Sequence, residues 1–199
     1  MQESTSEGEK MNGHILSLCD HSGNWSRPYE EGGYEVERID LQDGGRDVRL
    51  LEKGAPVHGI LAAPPCTCFA SSGARWERSD ADMVEALSVV DACIRLAWAH
   101  RKTLRWWVLE NPVGKLVRYL GRPQMYFDPC DFGDPYTKRT CLWGNFTPPT
   151  PLFLGRDLSV TPTDGSKMWS RYGGKSMATK NARSETPLGF SRAFFQVNP

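Results

Sequence analysis

No stretch of this chain is apolar for long enough to cross a bilayer, and none has the pattern of a secretory signal. These two lacks predict a cytoplasmic chain with no membrane partner. Net charge is lacking too, since 24 Lys and Arg balance 24 Asp and Glu. Bulk charge therefore neither requires nor excludes a nucleic-acid partner. No Cys-x-x-Cys pair occurs among the six cysteines, Cys19, Cys66, Cys68, Cys93, Cys130 and Cys141. Without that spacing no metal site is read from them, and without an export signal they are expected as thiols rather than disulfides. The glycine signature of a nucleotide-binding loop is weak as well.

What is present is a series of short apolar runs, each ending at a polar residue. Ile60 to Ala63 reads as a buried strand that stops at Pro64-Pro65, because neither proline can donate to a sheet ladder. Cys66 then falls in the crevice outside a strand end, where open α/β sheets bind ligands. Taken alone, Cys66 reads equally as a buried, inert thiol. Arg105 to Leu109 is a second such run, followed at once by Glu110-Asn111-Pro112. A Cys at one strand end and a Glu at another can face one pocket and supply a nucleophile and a proton donor.

The N-terminal part has the shape of a nucleotide-binding half. Residues 1–11 are polar and Glu-rich and read as a disordered tail. His14 to Cys19 reads as a strand, Asp20 to Asn24 as a polar loop, Arg27-Pro28 as a helix start and Gly32-Gly33 as its end. Tyr34 to Ile39 alternates as a second strand ending at Asp40, a residue placed to accept hydrogen bonds from ribose hydroxyls. The plain alternative for Asp20 to Asn24 is an ordinary turn. Further on, Ser79 with Asp82 has capping-box spacing and opens a helix over 80–102. Met83, Leu87, Val90, Ile94, Ala97 and Trp98 form its expected core stripe. Lys115 to Gly121 is a short helix, Met125 to Asp128 and residues 140–143 are strands, Asn145 to Pro162 is irregular, and a helix follows Pro187.

Strands alternating with helices predict an α/β domain over 12–199, with a mostly parallel sheet and helices on both faces. Charge is uneven along it. Residues 1–43 carry ten acids and three bases, and residues 101–122 carry six bases against Glu110. Residues 165–192 carry Lys167, Arg171, Lys175, Lys180, Arg183 and Arg192 against Glu185. Within 144–182 this makes a small, irregular, basic insert. Arg75, in the Ser/Gly-rich loop after Cys66, is placed to contact a base or phosphate. A solvated surface is the plain reading of these charges.

Pro64-Pro65-Cys66 with Phe69 resembles the Pro-Cys motif of the DNA cytosine-5 methyltransferases, and Glu110-Asn111-Pro112 resembles their Glu-Asn-Val motif. Ser17 to Asn24 is similar to the cofactor loop of short bacteriophage members, through Asp20, Ser22, Gly23 and Asn24. Asp47-Val48-Arg49 resembles the motif whose acid meets the adenine amino group; a lone surface Asp is its alternative. Gly133 and Pro135 fit the family's Gly-x-Pro-Gln-x-Arg-x-Arg segment, where Tyr136 replaces Gln and the arginine role falls to Lys138 or Arg139. Arg183 to Thr186 resembles the late Arg-x-Leu-Thr segment. The large recognition domain and the final Gly-Asn-Ser-Val segment have no counterpart here.

The resemblance implies a Rossmann-like fold that takes S-adenosylmethionine and methylates carbon 5 of cytosine in DNA. It implies Cys66, Glu110, Lys138 and Arg139 in catalysis. Asp20, Ser22, Gly23, Asn24, Asp40, Asp47 and Pro64 would hold the cofactor, and Pro65, Asn111, Arg75 and Arg183 the substrate. A phage-encoded member works in the bacterial host cytoplasm. Two rivals stay open: the same chemistry on a cytosine nucleotide or single strand, and a non-catalytic nucleic-acid binder on a decayed methyltransferase fold.

If the substrate is a polymer, its affinity falls steeply with added salt. Replacing Lys167, Arg171, Lys175 and Lys180 together flattens the log–log salt slope by about 0.7–0.9 per lost phosphate contact. A quadruple variant that binds and responds to salt like the parent would point to a free nucleotide.

Overall fold

A computed structural model describes residues 13–73, 76–152 and 176–199. The expected tail over 1–11, Arg75, the cluster Lys167, Arg171 and Lys175, and most of the 144–182 insert lie outside the described residues.

The strands are β1 (His14–Leu18), β2 (Glu35–Ile39), β3 (Gly59–Ala62), β4 (Trp106–Pro112), β5 (Met125–Phe127) and β6 (Thr140–Asn145). They form one sheet in the order β2-β1-β3-β4-β6-β5. The helices are α1 (Arg27–Glu31), α2 (Asp80–His100), α3 (Val117–Leu120), α4 (Met177–Ser184) and α5 (Leu188–Val197). No helix among the described residues is long and apolar enough to cross a membrane.

The α/β class and the mostly parallel sheet are as expected, with antiparallel pairs added at one side. β2, β1, β3 and β4 run parallel, whereas β6 is antiparallel to both β4 and β5. The connection from β5 to β6 explains the reversal. It holds only a 3-10 turn, Pro129–Phe132, and no crossover helix, so the chain returns alongside itself.

The central strands are apolar on both faces, which is why they read as continuous runs rather than alternating ones. On one face Leu16, Leu18, Ile60, Ala62 and Leu109 pack with Val90, Cys93, Leu96 and Ala97 of α2. On the other, Ile15, Leu61, Val108 and Leu142 pack with Tyr29 of α1 and with Phe190 and Phe194 of α5. Phe190 stacks on Phe127 with ring centroids 3.9 Å apart and planes 13° from parallel.

Two expectations are corrected. The buried face of α2 follows Val90, Cys93, Leu96, Ala97 and His100, so Trp98 falls off it. Trp98 is 67% exposed, with the Arg101 guanidinium 4.3 Å from its ring. Trp98 is five positions on from Cys93, about 140° round the helix from the centre of the buried face. Second, β4 does not stop at Leu109. Pairing with β6 carries it on, with Glu110 opposite Leu142, Asn111 opposite Cys141 and Pro112 opposite Thr140.

The second face depends on aromatic packing that nothing else replaces. Phe190→Ala is expected to lower stability by about 3–5 kcal/mol in urea unfolding, through lost burial and the cavity left beside Phe127. A loss well under that range would show that α5 is not part of the core.

Candidate active site

The site is built where β3 and β4 end side by side. Ala63 donates its N–H to the Leu18 carbonyl at 2.9 Å, after which the two prolines turn the chain out of the sheet. The Cys66 carbonyl accepts from both Phe69 and Ala70 N–H groups, at 2.9 and 2.8 Å, which fixes a tight turn at Cys66. The Phe69 side chain is fully buried and anchors that turn.

The turn is then fastened to the chain leaving β4. Ala70 bridges to Gly114, Ser71 donates through N–H and Oγ to the Val113 carbonyl, and Lys115 N–H donates to the Phe69 carbonyl at 2.7 Å. A Cβ at Gly114 would overlap the Phe69 carbonyl oxygen, so only glycine lets the two backbones approach this closely. From the other side Asn111 Nδ2 donates to the Pro64 carbonyl at 2.9 Å. Cys66 is thereby held against the strand that carries Glu110.

Glu110 is buried at 3% exposure, and its only close charge partner among the described residues is Lys138. The Lys138 Nζ stands 3.9 Å from Glu110 Oε1, with both side chains buried. Neither Glu110 Oε1 nor Asn111 Oδ1 has a hydrogen-bond partner. Two orphaned acceptors at one strand end mark a place for a ligand that brings donors. Burial pushes the Cys66 thiol up; the Lys138 ammonium opposes that shift and the Glu110 carboxylate adds to it. Burial also raises Glu110, again against the pull of Lys138. The resting site thus favours an uncharged thiol and a carboxyl readily protonated.

Lys138 and Arg139 part company at the edge of β6. Asp128 accepts from Lys138 N–H at 3.1 Å through one oxygen and from Arg139 Nη1 at 3.2 Å through the other. This turns Arg139 outward, half-exposed over the Tyr126 ring, and turns Lys138 in towards Glu110. Asp128 was not singled out in the sequence; its spacing from Asp131, which closes a capping box, was the available signal.

The expected cofactor residues meet different fates. Asp20 is buried and braces its own loop, accepting from Ser17 Oγ at 2.9 Å and from Ser26 N–H and Oγ at 3.2 and 3.0 Å. Ser22 Oγ donates to Asp20 and accepts from Asn24 N–H, while Asn24 Oδ1 accepts from Arg27 at 3.0 Å. Gly23 has a φ of 67°, and the Arg38 guanidinium lies where its side chain would be. Asp40 follows β2 at the sheet's exit edge and accepts from Gln42 N–H at 2.7 Å. Asp47 caps the 3-10 turn Val48–Leu50 and is clamped by Arg49 at 3.0 and 2.6 Å, which holds its carboxyl below the usual range. Pro64 is buried at the β3 exit and Pro65 exposed beside it. Arg183 lies in the last turn of α4, whose Asn181 donates to Gln42 at 3.0 Å, so α4 touches the loop after Asp40.

Comparison with known proteins adds nothing to this geometry: no protein-family model matches the chain, and no curated protein sequence matches it.

The fastening at Gly114 is open to a direct test. Gly114→Ala forces the Cys66 turn away from the β4 exit and is expected to cost about 1–3 kcal/mol in urea unfolding. Unchanged stability would mean that the two segments are not held at this distance.

Proposed function

We propose that this chain transfers a methyl group from S-adenosylmethionine to carbon 5 of cytosine, in DNA, through a covalent adduct at Cys66. The observation that carries the proposal is one arrangement: a half-buried thiol and a buried, unsatisfied carboxyl at adjacent strand exits, with an ammonium beside the carboxyl. It is strengthened by the Pro-Pro-Cys and Glu-Asn-Pro resemblance, in which Cys66 is the attacking group and Glu110 the acid.

Each residue then has a defined task. Cytosine carbon 5 is a weak nucleophile. Cys66, as its thiolate, adds Sγ to carbon 6 while the Glu110 carboxyl gives its proton to ring nitrogen 3, and the ring becomes a neutral enamine. Glu110 also faces the exocyclic amino group, whose N–H satisfies the orphaned carboxylate oxygen. Once carbon 5 carried the methyl group supplied by the cofactor, loss of its own proton to water would let the bond to Cys66 Sγ break as Glu110 took back the proton from ring nitrogen 3. Burial suits both steps, because it raises Glu110 against the pull of Lys138 and so makes its carboxyl easier to protonate. A base in duplex DNA must leave the stack to reach this crevice.

The cofactor fits the exits of β1 and β2 in part. When bound there it supplies an electrophilic methyl sulfonium. Gly23 holds a left-handed turn packed against the Arg38 guanidinium, and in this reading Asp40, at the end of β2, accepts from ribose hydroxyls. Asp20 and Asp47 are committed to Ser17 with Ser26 and to Arg49, so their part is to shape the loop. The shortness of 144–182, set against a family recognition domain, favours a second reading: the same chemistry on a single strand or a free cytosine nucleotide.

Mass spectrometry of nucleosides from cells expressing the protein is expected to show 5-methylcytosine. In purified protein, Cys66→Ser is expected to abolish transfer with cofactor binding near normal, since a serine hydroxyl is hardly ionised at neutral pH. Cys68→Ser is expected to be milder. An inactive Cys68→Ser beside an active Cys66→Ser assigns the wrong thiol, and no calorimetric binding of S-adenosylmethionine favours a non-catalytic binder.

A further inference from the structure

The Glu110–Lys138 pair is unusual in being buried yet open. Its separation of 3.9 Å exceeds hydrogen-bond reach, and Oε1 is left without a donor. Burying two charges is costly, and the cost is recovered only with close geometry and full hydrogen bonding. A pair that stays apart inside the protein makes sense where the ammonium has a second anion to serve. Cys66 is that group, since its turn is fastened to the β4 exit and it feels both Lys138 and Glu110.

We propose that Lys138 is a shared counterion, pairing with the Glu110 carboxylate at rest and with the Cys66 thiolate in the working state, so that the proton lost by Cys66 ends on Glu110. The inference rests on Cys66 being the nucleophile of the proposed function. One S–H bond breaks and one O–H bond forms, while the ammonium keeps its protons. The three groups together are neutral in both states, so the buried site never holds a net charge. Charge separation is merely relocated from the carboxylate to the sulfur. This also supplies the two species the chemistry requires at once, a thiolate and a protonated acid. A lysine suits the role because its ammonium is a compact charge on a flexible stem that can swing between two anions.

The surrounding groups leave the exchange to these three. Cys66 also faces Cys68, and Glu110 also acts on Cys141 in β6. The backbone of Lys138 is fixed by Asp128, whose other oxygen is taken by Arg139. Lys138 is thus a positioning residue with a fixed root and a movable end.

The test is alkylation of Cys66 by iodoacetamide across pH, in the full chain carrying Cys68→Ser, without substrate or cofactor, read by peptide mass spectrometry. Lys138→Met is expected to move the rate curve to higher pH and slow alkylation about tenfold near neutrality. Lys138→Arg keeps the cation and is expected to stay near the parent. Glu110→Gln removes the competing anion and is expected to move the curve to lower pH and speed alkylation about tenfold. Curves for Lys138→Met and Glu110→Gln that overlay the parent would overturn the proposal. If Lys138→Met does not fold, as judged by circular dichroism, Glu110→Gln decides alone. Because methyl transfer is not measured, shifted curves with no cytosine methylation would remove the methyltransferase reading and leave the counterion standing. Methylation with unshifted curves would do the reverse.

Discussion

The burial of Glu110 is the constraint on which the site depends. A carboxyl at that depth stays charged only beside a cation and stays neutral only with a proton. Lys138 offers the first option without closing on it, and the low dielectric offers the second. The surrounding fold holds this balance. β4 extends past its apolar run so that Glu110 sits in the ladder, and β6 runs antiparallel so that Lys138, two residues before it, can reach back to Glu110. A parallel β6 would bring its N-terminal end to the far end of β4, with Lys138 remote from the carboxyl. The mixed sheet is therefore what brings Lys138 beside Glu110.

The second constraint is backbone distance. Cys66 is on a turn, and turns are mobile unless something holds them. Here the holding is almost all main chain: the Cys66 carbonyl accepts twice, the turn bridges to Gly114, and Asn111 spans to Pro64. Such bonds fix the thiol relative to Glu110 without spending the side chains that would do chemistry. Asn111 keeps its oxygen unpaired for the same reason, because its amide nitrogen alone makes the structural bond.

The sequence showed the β3 exit plainly, because two prolines in a row after an apolar run stop a buried strand. It showed the α2 cap at Ser79 and Asp82 equally well, since that motif closes within four residues. It was less informative wherever the answer lay in a partner strand. Whether Glu110 lay within β4 or past its end depended on pairing with β6, and the direction of β6 depended on a connection that held no helix. The choice between Lys138 and Arg139 depended on Asp128, ten residues away in the chain and fixed in space only by β5. Trp98 was misplaced for a different reason. Periodicity identifies a helix face to within one residue, and an aromatic next to that face looks like core until packing decides.

The three acids around the first strands show how far residue identity underdetermines role. Asp20 and Asp40 follow strands and Asp47 an exposed loop, yet all three resemble cofactor ligands in sequence. Serines at positions 17 and 26 take Asp20, and Arg49 takes Asp47, because each acid has a local donor to satisfy before any ligand arrives. A carboxylate already accepting two or three hydrogen bonds gains little from one more and loses much by giving them up. In the proposed reading this divides the work. Asp40 is left to contact ribose, the Asp20 brace sets the shape of the Gly23 turn, and contacts to adenine fall to main-chain groups near the Asp47–Arg49 clamp. That reading needs the clamp held in place, and Arg95 of α2 donates to the Arg49 and Leu51 carbonyls, tying the clamp to the longest helix among the described residues.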